Sequence, residues 1–156
     1  MTSTPSTVPA FNLDAFLPYK MLMVTSWITQ LSQKRYATEL GITIAEARVI
    51  SVIASFGAAS SYEIAERTRM DRPKTHRATK QLVLTGILSR EINQTDNRLI
   101  VLQLTEAGVA LAARLIPIMH EIAATTFDVV SPEVRGELAR ITDLLIASHD
   151  MSRVRL

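Results

Sequence analysis

Two helix starts stand close together in this chain, and the β-biased pair of segments behind them leaves few folds open. Ser60 and Glu63 form the first, a pair whose hydroxyl and carboxylate each satisfy an orphan backbone donor at a helix N-terminus. Asp71 and Pro73 form the second, the aspartate as N-cap and the proline in a first turn where its missing N–H costs no hydrogen bond. Ile64 and Ala65 give the first helix an apolar side, and Arg67 and Arg69 near its end oppose the negative pole of the helix dipole. A turn over 68–70 then leads to a second helix with Ala78, Leu82 and Val83 on one face. Lys74, Thr75, Arg77 and Lys80 fall largely off that face, and Gly86 supplies the left-handed residue that ends the helix. Residues 87–93 and 99–104 are β-biased, with a polar turn over 94–98 between them. Helix, turn, helix and hairpin in that order predict a winged helix-turn-helix.

Charge separates a nucleic-acid reader from a merely solvated helix. Residues 60–100 hold eight Lys or Arg against five Asp or Glu, and the stretch 67–80 alone holds six basic residues opposed only by Asp71. The overall charge of +2 conceals this local surplus. A basic patch on a helix-turn-helix is the electrostatic footprint of DNA binding. Arg72, Lys74, Thr75, His76 and Arg77 are the expected major-groove contacts, because Arg and Lys reach guanine acceptors or phosphates and Thr can touch a thymine methyl. Ser60, Ser61, Arg69 and Lys80 complete the expected contact set. At the hairpin tip, Arg98 is placed to enter a narrow minor groove, with Asp96 orienting it or simply pairing with it to shape the loop. The alternative is a winged helix that binds protein, which would not need so basic a second helix.

The rest of the chain supplies helices. Leu17, Met21, Val24, Ile28 and Leu31 recur at three- and four-residue spacing, predicting a long helix that ends before Gly41. Thr43 and Glu46 open the next with a second capping box. After the hairpin, Thr105 caps a long helix through Leu111, Leu115, Ile118, Ile122 and Phe127, with Pro117 expected to kink it. Ser131, Pro132 and Glu133 start a last helix striped by Val134, Leu138, Ile141 and Leu145. Residues 1–12 read as a disordered tail without the features of a signal peptide.

An apolar fraction of 47% supports a sizeable core, and the absence of Cys excludes disulfides and Cys-based metal sites and fits a reducing compartment. No uninterrupted apolar run is long enough for a membrane span, so no membrane partner is expected. Catalytic motifs are absent and His76, His120 and His149 lie far apart in sequence, so neither enzymatic activity, nor a cofactor, nor a metal is expected.

The order of these elements, the D-x-R tip at Asp96 to Arg98 and the L-T-E-A-G run from Leu104 to Gly108 resemble the MarR family of bacterial transcription regulators. The likeness extends over about residues 17–146, and it departs at the wing, where members often carry several arginines and this chain has Arg98 between Asn97 and Leu99. The resemblance implies a mainly α fold with a small β-wing, in which 41–104 is the DNA-binding lobe and 13–40 with 105–149 form a helical dimerisation region. It implies a cytoplasmic homodimer on a pseudo-palindromic double-stranded operator, acting as a repressor. Release would come from a small-molecule effector, an aromatic carboxylate or related metabolite including acyl-CoA thioesters. The expected effector contacts are Met23, Trp27 and Tyr36 on the first helix, Arg48 on the second and His120 on the fifth. Arg48 could hold a carboxylate bidentately or sit in an intramolecular ion pair, and His120 could serve a ligand, a metal or the structure. Relatives commonly have a Trp where this chain has Ala47, which leaves room in such a pocket.

Overall fold

The computed structural model describes residues 9–92 and 100–148, so Asp96, Arg98 and His149 lie outside the described residues. Helix α1 spans Leu17–Arg35, with Pro18 in its first turn, and continues into a π-helical turn over Tyr36–Leu40 that Gly41 stops at φ 68°. Ahead of it, Asn12 caps a short 3-10 turn over Leu13–Ala15 and Phe11 packs edge-on against Phe16, so ordered packing begins inside the stretch expected to be a tail.

Helices α2 (Ile44–Phe56), α3 (Ser61–Thr68) and α4 (Arg72–Leu84) form the next layer. Both expected capping boxes are present. Glu46 Oε2 accepts from Thr43 N at 2.7 Å, and Glu63 Oε2 accepts from Ser60 N at 2.7 Å. Asp71 caps α4 by accepting from Lys74 N at 2.7 Å. Strands β1 (Leu88–Ile92) and β2 (Ile100–Leu104) pair antiparallel with Leu88 opposite Leu104, and Ala59 bridges to Leu102 as a minimal third strand. The core lies beneath these elements and is aliphatic, with Val49, Ile50, Ile64, Leu82, Leu88 and Leu115 almost wholly buried.

Helix α5 (Glu106–Phe127) runs through Pro117 as one helix, and α6 (Pro132–Ser148) comes after it. The L-T-E-A-G run joins α5 to the end of α4. Thr105 Oγ1 accepts from Gly108 N at 3.1 Å and donates to the Gly86 carbonyl at 2.6 Å, while Thr105 N donates to the Ile87 carbonyl at 3.1 Å. A side chain at position 108 would collide with that same carbonyl, which explains the glycine. Arg35 ties the other end together through Glu39 (2.5 Å) and Glu121 of α5 (2.8 Å), and these carboxylates hold its guanidinium even more firmly protonated than usual. Helix α5 is long and apolar enough to cross a membrane by length and composition alone. In the fold, its Leu115, Ile118 and Ile122 are core residues.

Among the described residues, two surfaces are apolar and uncovered. Helix α6 buries no residue, leaving Val134, Leu138, Ile141, Leu144 and Leu145 exposed, and the N-terminal half of α1 exposes Leu17, Met21, Leu22, Met23 and Val24.

Candidate nucleic-acid interface and adjoining cleft

The outward face of α4 is basic because the inward face takes a different set of residues. Thr75, Ala78, Thr79 and Leu82 recur at three- and four-residue spacing and are all buried. This corrects the expectation for Thr75, which lies on the core face at 1% exposure and cannot offer its methyl group to a base. A buried hydroxyl needs a partner. Thr75 Oγ1 finds one by donating to the Asp71 carbonyl at 3.0 Å, which turns the rest of the side chain toward the core.

Arg72, His76 and Lys80, each four residues from the next, form an exposed stripe with Arg77 beside it, and Lys74 is half-exposed. Arg69 closes α3 in the left-handed conformation at φ 54°, a costly geometry for a residue with a side chain, and is exposed at the turn between the two helices. Ser61 is exposed at the start of α3, whereas the Ser60 hydroxyl is committed to Glu63 at 2.8 Å. These bonds from Ser60 hold the Glu63 carboxyl below the usual glutamate range.

Two aromatic residues that the periodicity did not single out organise the arginines. Tyr62, exposed on α3, lies under the Arg72 guanidinium at 5.2 Å, and Phe56 at the end of α2 lies under that of Arg67 at 4.0 Å. A stacked guanidinium keeps its N–H donors in its own plane, so each arginine is positioned without losing hydrogen-bonding capacity.

Behind this face, a cleft of about 450 Å³ opens between α1, α2, α3 and α5. Ile28, Ile44, Ala47 and Val52 give it apolar walls, Thr29, Ser32, Tyr36 and Ser51 bring hydroxyls, and Arg48 and Arg67 bring charge. Of the five expected effector residues, Tyr36 and Arg48 line this cleft. Met23, Trp27 and His120 do not. They are exposed elsewhere on α1 and α5, and Met119 takes the place expected of its neighbour His120. A helix turns by about 100° per residue, so one position decides which side chain faces the cleft. No ion pair among the described residues includes Arg48, and none of their His, Asp and Glu side chains gather into a group that could hold a metal.

A family model described as MarR family matches residues 40–99, the lobe that carries this basic face. This segment is similar to the MarR family. The fold similarity extends well beyond it to whole MarR-type chains. An Acinetobacter MarR/EmrR family transcriptional regulator aligns with a TM-score of 0.82 at 21% identity, covering 90% of this chain and 99% of that one. Bordetella bronchiseptica BpsR, whose DNA binding is regulated by 6-hydroxynicotinic acid, aligns at 0.74 and 19% identity over 83% of this chain and 97% of its own. A Mycobacterium tuberculosis MarR family protein in complex with salicylic acid aligns at 0.69 and 21% identity over 85% of this chain and 97% of its own. Among curated proteins, none matches the sequence. The MarR fold accounts for the β-hairpin, the helix-turn-helix and the packing of α1 against α5 that the chain displays.

Proposed function

We propose that the chain is a DNA-binding transcriptional regulator that reads a pseudo-palindromic duplex as a homodimer and is released from it by a small organic acid. The observation that carries this reading is the outward face of α4, where Arg72, His76, Arg77 and Lys80 are presented together on a helix-turn-helix of MarR type. Such a helix enters the major groove and reads base edges, while Lys and Arg neutralise phosphates. Asp96 and Arg98 are assigned to the wing contact on the strength of the resemblance.

Dimerisation is supported by the uncovered apolar faces of α1 and α6, since contiguous apolar surface of this kind marks an interaction site. A two-fold dimer requires half-sites about one helical turn, or roughly 34–36 Å, apart. The effector is supported by the cleft between the DNA-reading helices and α1 and α5, and by structural relatives that bind or respond to aromatic acids. A volume of about 450 Å³ suits a single-ring acid, whereas an acyl-CoA thioester would have to leave its nucleotide outside. A ligand that prefers the non-binding arrangement tenfold shifts operator affinity by about 1.4 kcal/mol, and operator must weaken ligand binding by the same factor.

The test is a duplex selected from a random pool and titrated against the full chain at two salt concentrations. Affinity is expected to fall with salt, with a log–log slope of about −0.9 per phosphate neutralised. Failure to select any duplex, or a flat salt response, would favour a protein-binding winged helix instead.

A further inference from the structure

The cleft beside the reading helices is lined by two guanidinium groups from two different helices, and among the described residues neither is in an ion pair. Arg48 comes from the middle of α2 and Arg67 from the last turn of α3, and both line the same concavity. The carboxylate one turn back from Arg67 is Glu63. Its Oε2 is engaged by Ser60 N at 2.7 Å and Ser60 Oγ at 2.8 Å, and the carboxylate attracts Arg67 electrostatically without forming an ion pair with it among the described residues.

We propose that this cleft is built for an aromatic ligand bearing two acidic groups, one held by Arg48 and the other by Arg67, with Phe56 as the positioning residue that presents Arg67. This rests on the effector reading above and sharpens it from an organic acid to a dianion.

Three features select that chemistry. Arg48 and Arg67 are both exposed at the rim of the cleft, so a monoacid engages one guanidinium and a diacid can engage both. Phe56 stacks on Arg67 at 4.0 Å, which fixes the plane of the guanidinium and leaves its N–H edge free to donate two parallel bonds to a carboxylate. Ile44, Ala47 and Val52 line the same cleft and give it apolar surface for a ring. Ala47, 2% exposed, presents only a methyl group there. Because the two arginines sit on α2 and α3, a ligand that spans them links the helix beneath the reading lobe to the helix that leads into α4 through the Arg69 turn.

The experiment is calorimetry on the full chain without DNA, at constant ionic strength and at a pH where every carboxyl is ionised. The probes are benzoate and the three benzenedicarboxylates, phthalate, isophthalate and terephthalate. At least one dicarboxylate is expected to bind about tenfold or more tightly than benzoate, equivalent to about 1.4 kcal/mol. Arg67→Gln should remove that advantage, and Phe56→Leu should reduce it. Arg67→Lys, which keeps the charge but not the two-donor edge, should retain part of it. Thermal melts of each variant confirm that the fold is intact. The proposal is overturned if all three dicarboxylates bind no better than benzoate, if none of the probes binds, or if the advantage survives Arg67→Gln. Since no duplex is present, a chain that fails to bind any DNA would sink the functional reading without touching this result, and the reverse holds as well.

Discussion

Replacing Gly108 by Ala is expected to destabilise the protein, although the same change in an unconstrained helix stabilises it. A Cβ at this position would lie 2.2 Å from the carbonyl oxygen of Ile87 and 3.0 Å from Cδ2 of Leu104. The oxygen cannot simply move away, because it accepts from Thr105 N at 3.1 Å and from Thr105 Oγ1 at 3.2 Å. Relieving the contact therefore shifts the first turn of α5 and stretches its cap, the bond from Gly108 N to Thr105 Oγ1 at 3.1 Å. Overpacking of this sort costs about 1–3 kcal/mol. Loss of a threonine cap adds about 1 kcal/mol. Helix propensity returns at most about 1 kcal/mol when Gly becomes Ala. The net expectation is a loss of about 1–3 kcal/mol. Gly136 in α6 is the comparison position, since no described residue of the same copy lies within 4 Å of a Cβ there and, within one copy, only the propensity gain applies. Urea unfolding monitored by circular dichroism, with both variants and the parent at one protein concentration, measures the two effects. A Gly108→Ala midpoint equal to or above that of the parent would refute the close approach of α5 to the end of α4.

Tyr62→Leu should weaken duplex binding about two- to five-fold, the equivalent of an exposed cation–π contact, and the loss should be much smaller in an Arg72→Ala background. Additive effects in that double-mutant cycle would show that the ring does not act through Arg72. Thr75→Val should leave duplex affinity unchanged because the side chain faces the core, whereas Arg77→Ala should cost about 1–3 kcal/mol and relax preference at one base pair; a reversal of this order in anisotropy titrations would put the wrong face on DNA. Glu63, whose carboxyl is held below the ordinary value of 4.5 by Ser60, contributes stability that is fully present above that value and is lost as pH falls through the lower folded-state value. The stability gap between the parent and Glu63→Gln should accordingly be largest near neutral pH and shrink below about pH 4.5, and a gap independent of pH would remove the capping box as its source. Leu138→Lys combined with Ile141→Lys should leave the protomer folded, since both side chains are exposed in it, but give a monomer in sedimentation at micromolar concentration. Persistence of the dimer would show that α6 does not form the interface.

Most of the architecture was legible because its signals are local. Capping boxes at Thr43 and Ser60, the Asp71 N-cap, and Gly41 and Gly86 at positive φ concern a residue and its neighbours within one turn, and the structure has each where the sequence places it. The basic character of α4 is likewise a matter of composition over a short stretch. Thr75 shows where that reasoning ended. Threonine is polar as a residue type, yet its hydroxyl can be satisfied by the carbonyl four residues back, so it serves as well on a core face as on a solvated one.

The sequence by itself determined the elements, their order and the sign of the charge on the reading helix, since these depend on residue type and on spacing within single elements. Only the tertiary structure decided which side chains meet: that Arg48 and Arg67 share a cleft that Trp27 and His120 do not reach, that Tyr62 and Phe56 carry the arginines, and that Gly108 is required by a carbonyl at Ile87. These contacts join residues on different helices or across a turn. Their existence depends on how helices cross and on the facing of single positions, neither of which leaves a periodic trace along the chain.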